Sequence, residues 1–390
     1  MKNNRKAVWL LNVTTVLFWA SLYVYVPYLS PYLNHMGIIA SAIGYITSSY
    51  GVAMLMSRIP IGVIGDWFGR QKGFVLLGIL FAGISAVGMQ AMENAYVIMS
   101  FRFLSGVAAA TWVSFVTLYS SYFETIQTTQ AVASLNMYAS LGRVFASCIG
   151  AAAAEFMGYR GAFLAGGILG GMALIAGFFV TDIQRTSPEK MQILELIQVG
   201  KEKSLICASL FGAVLQMIAY ATTYTFTNTL AEKLGAGQLE LGVLQAIISV
   251  AGVLAPMILS APLASRIEER KVLSASFIAL AISQAIFPHC NSFLLLYGAQ
   301  FLSGMGLGLA MIPLMSLSIR HIRMEKRSTA MGYFQAVYSL GLTAGPLIMG
   351  YLVQYTGYVC SYHAISLLAA IAAVLSYFIF KDSGGSTIRK

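Results

Sequence analysis

Long apolar stretches follow one another along almost the whole of this chain. An α-helix of about 20 apolar residues spans the hydrocarbon core of a bilayer, where every backbone polar group must be paired within the segment. Twelve stretches are long enough, at approximately residues 8–31, 39–62, 73–92, 95–120, 131–156, 161–181, 204–230, 238–263, 272–290, 293–318, 329–353 and 360–381. Charged residues make up 10% of the chain, against about 25% in soluble domains. The pattern predicts an all-α integral membrane protein with twelve transmembrane helices.

The basic residues mark one side of the predicted membrane segments. When the loops are numbered alternately, nineteen Lys and Arg residues fall on one side and two, Arg160 and Lys233, on the other. Cytoplasmic loops carry such an excess of basic residues, so both termini are predicted to lie in the cytoplasm, with the chain in the plasma membrane. The net charge of +10 is therefore attributed to the basic loops on the cytoplasmic side, and not to a site that binds a polyanion. We therefore expect no nucleic-acid partner.

The longest polar segment, residues 182–203, divides the predicted helices six and six. Within it, residues 188–197 have the pattern of a short amphipathic helix on the inner membrane face. The two sides of the segment also repeat. Arg102-Phe103-Leu104-Ser105-Gly106 recurs as Gln300-Phe301-Leu302-Ser303-Gly304, and Ser140-Leu141-Gly142 recurs as Ser339-Leu340-Gly341. We predict two six-helix domains, residues 1–181 and 204–390, joined by a cytoplasmic linker at 182–203.

A polar loop between the second and third apolar stretches carries the most specific motif. It reads Gly62-Val63-Ile64-Gly65-Asp66-Trp67-Phe68-Gly69-Arg70-Gln71-Lys72. The order G-x-x-x-D-x-x-G-R-x-K resembles the signature loop between the second and third helices of the major facilitator superfamily of secondary transporters. The resemblance covers nearly the whole chain and implies the major facilitator fold, two pseudo-symmetric six-helix bundles with a substrate site between them near the midplane. At the matching place in the second half, residues 261–271, the Asp and Gly are missing.

The resemblance assigns a conformational latch to Gly62, Asp66, Gly69 and Arg70. It implies that Asp66 caps the cytoplasmic start of the eleventh helix, where a carboxylate meets the positive end of the helix dipole. It also implies that Arg70 pairs with an acid near the inner end of the fourth helix, where Glu124 stands. Together these contacts would hold the halves in the outward-open state. The alternative is that Asp66 and Arg70 only shape a tight turn.

Two arginines inside predicted helices are candidate site residues. Arg102 matches the basic residue of the fourth-helix motif in the drug and metabolite antiporter branch, and Arg143 lies near the middle of the fifth span. A charge inside a span costs about 2.5–3.5 kcal/mol on insertion scales, so we expect both to face a polar cavity. Arg102 could instead extend to the outer surface, and Arg143 could hydrogen-bond a neighbouring helix. Asn136 lies seven residues before Arg143 and shares its helix face.

Polar and aromatic side chains on other spans complete the predicted cavity. They lie on the first, seventh, tenth and eleventh spans and comprise Thr15, Trp19, Tyr23, Gln216, Tyr220, Gln300, Gln335 and Tyr338. Tyr25, Tyr28 and Tyr32 are instead expected in the interfacial aromatic belt. Gly106, Gly345 and Pro346 are assigned to helix packing. The antiporter branch carries Gly-Pro in its fifth helix; this chain lacks it there, and Gly345-Pro346 in the eleventh helix looks like its mirror copy.

The distribution of acids and metal-ligating residues excludes several functions. None of the fourteen acidic residues falls in the interior of a predicted span, and Glu155 and Glu240 come nearest. Proton-coupled relatives that export cationic drugs usually hold a carboxylate in the first or fourth helix, so a cationic substrate is disfavoured. The four cysteines and four histidines occur singly, without metal-ligand spacing. We predict no metal, no cofactor and no enzymatic site.

These observations favour a secondary active transporter that moves a small organic compound across the cytoplasmic membrane by alternating access. The compound is expected to be neutral or anionic and partly aromatic, and proton-linked efflux is the leading interpretation. An importer of an organic anion, with Arg102 and Arg143 as carboxylate partners, is the first alternative. A transporter-like sensor that does not transport is the second. The expected partners are the small-molecule substrate, the lipid bilayer and protons, and we expect a monomer.

Overall fold

The computed structural model of the chain is built from α-helices. It describes residues 2–91, 93–123, 128–182, 200–260, 267–323 and 326–381, and these contain no β-strand. The predicted amphipathic segment at 188–197 lies outside the described residues, as does Glu124. The all-α prediction is confirmed for the part of the chain that the structure describes.

The first half contains the helices α1 to α8. Their bounds are α1 Lys2–Tyr23, α2 Val26–His35, α3 Ala40–Phe68, α4 Lys72–Ala91, α5 Ala95–Ala110, α6 Trp112–Ser120, α7 Thr128–Met157 and α8 Tyr159–Phe178. A short break before Pro27 separates α1 from α2, and Thr111 separates α5 from α6. Each of these pairs belongs to one predicted span.

The second half contains α9 to α14. Their bounds are α9 Lys203–Ile218, a π-helix Ala219–Phe226, α10 Thr227–Lys233, α11 Gln238–Ser260, α12 Glu269–Ile286, a 3-10 turn Phe287–His289, α13 Phe293–Ile319 and α14 Arg327–Ile379. Inside α14, Gly357 has φ 76° and ψ 174° and interrupts the helix. Glycine adopts a positive φ without steric cost. The eleventh and twelfth predicted spans therefore meet at Gly357.

The helices account for the predicted spans. Among the described residues, ten helices are long and apolar enough to cross a membrane, and one of them, Thr329–Ile379, contains the two helices that meet at Gly357. In addition, α3 has 29 residues, more than the roughly 20 that a bilayer requires. Many large apolar side chains point outward, including Phe156, Leu294 and Trp67, which are 88%, 84% and 82% exposed. Such a surface suits a lipid environment.

The chain forms two compact units. Unit 1 comprises Met1–Ile38, Tyr45–Met191 and Ala236–Ala246, and unit 2 comprises Ile39–Gly44, Gln192–Gly235 and Ile247–Lys390. The predicted domain bounds, 1–181 and 204–390 with a linker at 182–203, stay a prediction. The units differ from them in that 39–44 and 236–246 each group with the other half of the chain.

Equivalent helices pack together inside each unit. In unit 1, α1 packs against α7 and α8, and α4 packs against α5 and α8. In unit 2, α9 and α12 pack against α14, and α13 packs against α9 and α12. The pairs α1 with α7 and α9 with α14 join the first and fifth spans of their respective halves, so the internal sequence repeat corresponds to a repeat of helix packing.

The repeated glycines lie at close helix crossings. A Cβ added to Gly106 of α5 would overlap the Tyr50 carbonyl oxygen of α3. A Cβ on its repeat partner, Gly304 of α13, would lie 2.7 Å from the Ala251 Cβ of α11. Both distances are shorter than van der Waals contact allows, so each position requires a side chain no larger than hydrogen.

The second repeated motif behaves in the same way. A Cβ on Gly142 of α7 would lie 2.5 Å from the Val16 carbonyl oxygen of α1, and a Cβ on Gly341 of α14 would overlap the Ala213 carbonyl oxygen of α9. Gly345, one turn further, approaches the Met217 carbonyl oxygen, and a Cβ added there would lie 2.5 Å from it. The repeated glycines therefore mark the positions where two helices cross closely in each half.

The three tyrosines assigned to an aromatic belt are buried instead. Tyr25, Tyr28 and Tyr32 are 0%, 0% and 7% exposed. The Tyr25 ring stacks on Phe163 of α8 with centroids 5.3 Å apart, and the Tyr28 hydroxyl donates to the Gln238 carbonyl oxygen at 3.2 Å. The belt prediction was wrong because Pro27 and the break before α2 turn this part of the span into the helical core of unit 1.

Candidate substrate-binding site

An aromatic–arginine cluster lies in unit 1 where α1, α6 and α7 meet. It consists of Trp19 and Tyr23 on α1, Trp112 on α6 and Arg143 on α7. The Arg143 guanidinium carbon lies 5.5 Å from the Trp19 ring centroid and 5.7 Å from that of Tyr23. The Trp19 ring is 5.6 Å from Tyr23 and 5.3 Å from Trp112. Cations within about 6 Å of an aromatic centroid are attracted by the ring quadrupole.

Arg143 occupies the middle of α7, which runs from Thr128 to Met157. It is half-buried, and its guanidinium donates to the Ser140 hydroxyl at 2.9 Å. Among the described residues, no carboxylate lies within ion-pair distance of it. The rings disperse part of the charge, but a guanidinium has five donors. Most of that donor capacity is available to an acceptor other than the protein.

Three buried polar atoms on α1 lack partners in the structure. They are Asn12 Oδ1, Thr15 Oγ1 and Trp19 Nε1, on residues that are 8%, 0% and 9% exposed. Positions 12, 15 and 19 are spaced by three and four residues, so they lie on one helix face. Buried polar groups are nearly always hydrogen-bonded, and exceptions often mark a ligand or water position. Asn12 was missed in the sequence, although its spacing from Thr15 and Trp19 could have identified it.

Arg102 is buried beneath an aromatic ring. It is 5% exposed, its guanidinium carbon lies 4.4 Å from the Tyr50 ring centroid, and its Nε has no partner. Its Nη1 also donates a long hydrogen bond of 3.4 Å to the Ser105 hydroxyl. An arginine extended to the membrane surface would expose its guanidinium, so this placement favours an interior role over that alternative.

A third arginine, Arg58, was missed in the sequence. It lies on α3 and is 8% exposed. Tyr50 lies eight residues before Arg58 in the same helix. It interacts electrostatically with Arg58, Arg102 and Tyr23. Tyr50 thus neighbours Arg102, and Tyr23 neighbours Arg143. A charged residue four positions from the end of a predicted span was the available signal for Arg58.

Unit 2 offers aromatic and neutral polar groups. Tyr220 and Tyr224 lie in the π-helix with ring centroids 5.1 Å apart, and the Thr223 hydroxyl is 3.1 Å from that of Ser303. Gln216, at the end of α9, is half-buried. Single π-turns inside helices are frequently found at functional sites. Nothing in the sequence pattern predicted the π-helix.

Gln300 is the neutral counterpart of Arg102. It is 1% exposed and its Oε1 has no partner. Gln335 is half-buried on α14, and Tyr338 is 9% exposed, with its ring packed edge-on against Phe334 at 5.5 Å. The predicted site residues of unit 2 are thus all neutral, whereas those of unit 1 include Arg102 and Arg143. They are Gln216, Tyr220, Gln300, Gln335 and Tyr338.

Asn136 is not brought to Arg143. Its side chain is exposed, and its amide donates to the Val132 carbonyl oxygen of its own helix at 2.9 Å. The two residues share a helix face, as predicted, but the contact with the cluster runs through Ser140, which lies between them. The predicted cavity role of Asn136 stays a prediction.

The signature loop forms a tight turn. Helix α3 ends at Phe68, Gly69 has φ 62°, and α4 begins at Lys72. Arg70 is exposed, without an ion-pair partner among the described residues. Gly62 is buried. The Asp66 side chain and Glu124 are outside the described part of the structure, so the latch stays a prediction.

The matching loop of unit 2 carries ion pairs instead of the motif. Glu268 pairs with Arg270 and Lys271, and Glu269 pairs with Arg320. The Arg270 hydrogen bond, followed by that of Lys271, lowers the pKa of Glu268 below its usual value. Glu268 and Glu269 lie before and at the start of α12, between the predicted spans 238–263 and 272–290, and Arg320 follows α13.

An apolar groove of about 420 Å³ lies elsewhere on unit 1, between α4 and α8. Its lining contains only aliphatic residues, glycines and Phe101. Without a polar group to orient a ligand, it does not have the composition of a specific substrate site.

Two helical units with repeated crossings, buried arginines and unpartnered polar atoms inside apolar spans define a multi-pass membrane protein of the transporter class. The chain belongs to the Major Facilitator Superfamily, whose family profile matches residues 11–207 and 209–389. This result confirms the predicted family and fold. It also agrees with the prediction that the protein is a transporter and not an enzyme.

Relatives and solved structures extend the match. An MFS-type transporter of Methanocaldococcus jannaschii, MJ1560, is 20% identical over 389 residues, covering 97% of this chain and 98% of that protein. The multi-drug resistance efflux pump PmrA of Streptococcus pneumoniae is 22% identical over 405 residues, covering 97% and 96%. The crystal structure of a bacterial homologue of the human lysosomal transporter Spinster has a TM-score of 0.80 at 15% identity, covering 98% of each chain.

Proposed function

We propose that this transporter exports a small organic compound, neutral or anionic and partly aromatic, in exchange for protons. The aromatic–arginine cluster carries the proposal. Its three rings can stack on an aromatic substrate, and Arg143 can donate two parallel hydrogen bonds to a carboxylate or a carbonyl group. The unpartnered atoms of Thr15 and Trp19 add one hydroxyl and one indole donor beside it.

The charge of the site supports the proposed substrate class. Arg102 and Arg143 have no described carboxylate partner, and a like charge brought next to them would be repelled. A cation therefore has no counter-charge in this cluster, whereas an anion or a polar neutral molecule completes it. This reasoning does not set the direction of transport. Efflux is supported by the likeness to PmrA, a multi-drug efflux pump that matches nearly the whole chain.

Proton coupling requires a titrating group outside the span interiors. Every acidic residue of the chain lies in a loop or at a helix end. We infer that the exchanged proton is carried by one of these acids, because a proton bound to the substrate would move in the same direction as the substrate.

Transport by the purified protein in liposomes tests the proposal. A panel of aromatic compounds with anionic, neutral and cationic substituents is loaded inside, and efflux is followed with and without an inward proton gradient. We expect neutral or anionic members to leave faster when the gradient is imposed. Efflux of cations alone would contradict the substrate class, and gradient-independent rates would contradict the coupling.

Import of an organic anion is a second candidate, favoured by the buried Arg102 with its unpartnered Nε. The same liposomes distinguish the two. An importer accumulates the anion from outside when a proton gradient is directed inward together with it, whereas an exporter accumulates it only under the opposite gradient. Sided reconstitution, checked by protease access to the linker, is required for this comparison.

The topology is part of the proposal. We place the chain in the cytoplasmic membrane as a monomer with both termini in the cytoplasm, because nineteen basic residues lie on one side of the spans and two on the other. A cysteine introduced in place of Glu195, with the four native cysteines changed to serine, tests it. An impermeant maleimide should label this cysteine only after the cells are opened. Labelling from outside intact cells would contradict the proposed topology, because it would place residue 195 outside the cytoplasm.

A further inference from the structure

Two histidines that are 74 residues apart in the sequence meet in unit 2. His289 ends the 3-10 turn after α12, and His363 lies six residues after Gly357 in α14. Their Nε2 atoms are 3.1 Å apart and their ring centroids 5.2 Å apart. Both side chains are exposed. The sequence showed four single histidines, and this pair corrects that interpretation.

The residues beside the two histidines hold them in register. Phe287 and Tyr362 are both fully buried, with ring centroids 5.8 Å apart, and the Tyr362 hydroxyl lies 2.9 Å from the Thr227 hydroxyl. Because His363 directly follows Tyr362, and His289 follows Phe287 by two residues, this buried contact fixes the backbone of both. The two imidazoles therefore lie next to a buried ring contact, which holds their backbone positions fixed relative to each other.

The separation of the nitrogens suits a shared metal ion. Zinc binds histidine nitrogen at about 2.0–2.1 Å, so two such ligands on one tetrahedral ion lie about 3.3–3.4 Å apart. The observed 3.1 Å differs from that by about 0.2–0.3 Å. A bare hydrogen bond between two exposed imidazoles, by contrast, competes with water and contributes little.

We propose that His289 and His363 form a binding site for a divalent transition-metal ion of the Zn²⁺, Ni²⁺ or Cu²⁺ class. Imidazole is a preferred ligand of these ions, whereas Mg²⁺ and Ca²⁺ select oxygen. Among the described residues, no group of three or more His, Cys, Asp or Glu side chains could hold a metal. The ion therefore has two protein ligands, with water in its other positions.

Metal binding at this site links α12 to α14. Both histidines belong to unit 2, so an ion held between them connects two helices of the same unit. A ligand that binds the folded state and not the unfolded state raises the unfolding temperature, and the rise grows with the logarithm of the ligand concentration above its Kd. The site therefore predicts a stabilising effect of the metal that is independent of the transported substrate.

Thermal unfolding of the purified, tag-free protein tests the site, with Zn²⁺, Ni²⁺ and Mg²⁺ as probes. We expect Zn²⁺ and Ni²⁺, and not Mg²⁺, to raise the midpoint, and His289→Ala and His363→Ala each to abolish the rise. His321→Ala, which changes another exposed histidine, and Cys360→Ser, three residues before His363, should both retain it. A rise that survives either site variant, or one that is lost in Cys360→Ser, would overturn the assignment.

A direct spectroscopic reading accompanies the unfolding experiment. Cu²⁺ added at one equivalent should show electron paramagnetic resonance couplings to two imidazole nitrogens in the wild-type protein. One nitrogen should be lost in each single histidine variant. A spectrum without nitrogen couplings, or one that is identical in the variants, would contradict the proposal even if the unfolding midpoint rises, and an unchanged midpoint with Zn²⁺ and Ni²⁺ would contradict it as well.

Discussion

Units 1 and 2 share their packing but differ in their interior charge. Gly106 and Gly304 lie at equivalent crossings, as do Gly142 and Gly341. The polar positions next to them are not equivalent. Arg102 of unit 1 corresponds to Gln300, and Arg143 corresponds to Leu342, which is buried at 2% exposure.

This difference separates two kinds of constraint. A glycine at a close helix crossing cannot change without moving a backbone, because a Cβ would overlap a carbonyl oxygen or another Cβ. A side chain that points toward a ligand is under no such steric constraint. We infer that the repeat preserves the scaffold, while unit 1 supplies positive charge for the substrate and unit 2 supplies aromatic rings and neutral polar groups.

Removing the charge at Arg143 should produce the largest effect. Arg143→Ala deletes the donor that faces Trp19 and Tyr23, and hydrogen bonds to charged groups contribute about 1.5–3 kcal/mol. Substrate affinity should therefore fall by about 10- to 100-fold. Arg143→Lys keeps the charge but loses the planar two-donor geometry, so it should retain part of the activity. Transport in liposomes and binding to the purified protein measure both variants.

Arg160→Ala is the matched control for this experiment. Arg160 belongs to the same unit but pairs with Glu93 at an exposed position, 60% accessible, and exposed pairs contribute little. It should transport like the wild type. If Arg143→Ala also transports normally, Arg102 becomes the better candidate and the anionic preference loses its main support.

Neutralising Asp66 should slow turnover more than it weakens binding. The signature loop is intact in unit 1 and degenerate in unit 2, so Asp66→Asn tests whether that asymmetry matters for the conformational cycle. We expect transport to fall by about tenfold or more, which corresponds to about 1.4 kcal/mol in a barrier, with normal membrane insertion. Glu268→Gln in the matching loop of unit 2 should leave transport near wild type. If Asp66→Asn transports at the wild-type rate, the latch is contradicted and the loop only shapes the turn between α3 and α4.

The repeated glycines should differ in their tolerance of alanine. The Cβ of Gly106→Ala would meet a backbone carbonyl oxygen, whereas that of Gly304→Ala would meet the Ala251 side chain. Overpacking costs about 1–3 kcal/mol, and the backbone contact has less freedom to relax, so Gly106→Ala should unfold at the lower temperature. Gly298→Ala, with no neighbour within 4 Å, is the control. Equal midpoints for all three would show that the crossings are looser than the structure describes.

The smallest expected effect concerns the ion pairs before α12. Because the folded-state pKa of Glu268 is lowered by Arg270 and Lys271, its pairing stabilises the fold above the ordinary glutamate pKa. That contribution is lost as the pH falls through the folded-state value. Glu268→Gln should therefore unfold slightly below the wild type at neutral pH and coincide with it in acid. A difference that persists in acid would mean that the effect is not electrostatic.

The scaffold could be predicted from the sequence because its signals are local. The twelve spans were predicted from the lengths of the apolar stretches, and the break at Gly357 falls between the eleventh and twelfth of them. The packing role of Gly106 was visible from its recurrence as Gly304. In lipid, the pairing of backbone groups leaves few alternatives to a bundle of helices.

The site was predicted less completely because burial depends on which helices meet. Arg143, Trp19 and Tyr23 were expected in one cavity, and the structure places them in one cluster. The π-helix was missed because no sequence pattern predicts it. Asn12 and Arg58 were missed although the spacing of Asn12 from Thr15 and Trp19, and the charge of Arg58 inside a predicted span, were available signals. Tyr25, Tyr28 and Tyr32 were misread because the break before α2 was not predicted from the sequence.

Discrimination by charge tests the central claim most directly. Three compounds with one aromatic ring and a carboxylate, a carboxamide or an ammonium group are compared for binding to the purified wild-type protein and to Arg143→Ala. We predict that the wild type binds the acid and the amide and does not bind the amine, and that the variant loses the preference for the acid. Tighter binding of the amine by the wild type, or the same preference for the acid in both proteins, would contradict the assignment of positive charge in unit 1 to substrate recognition.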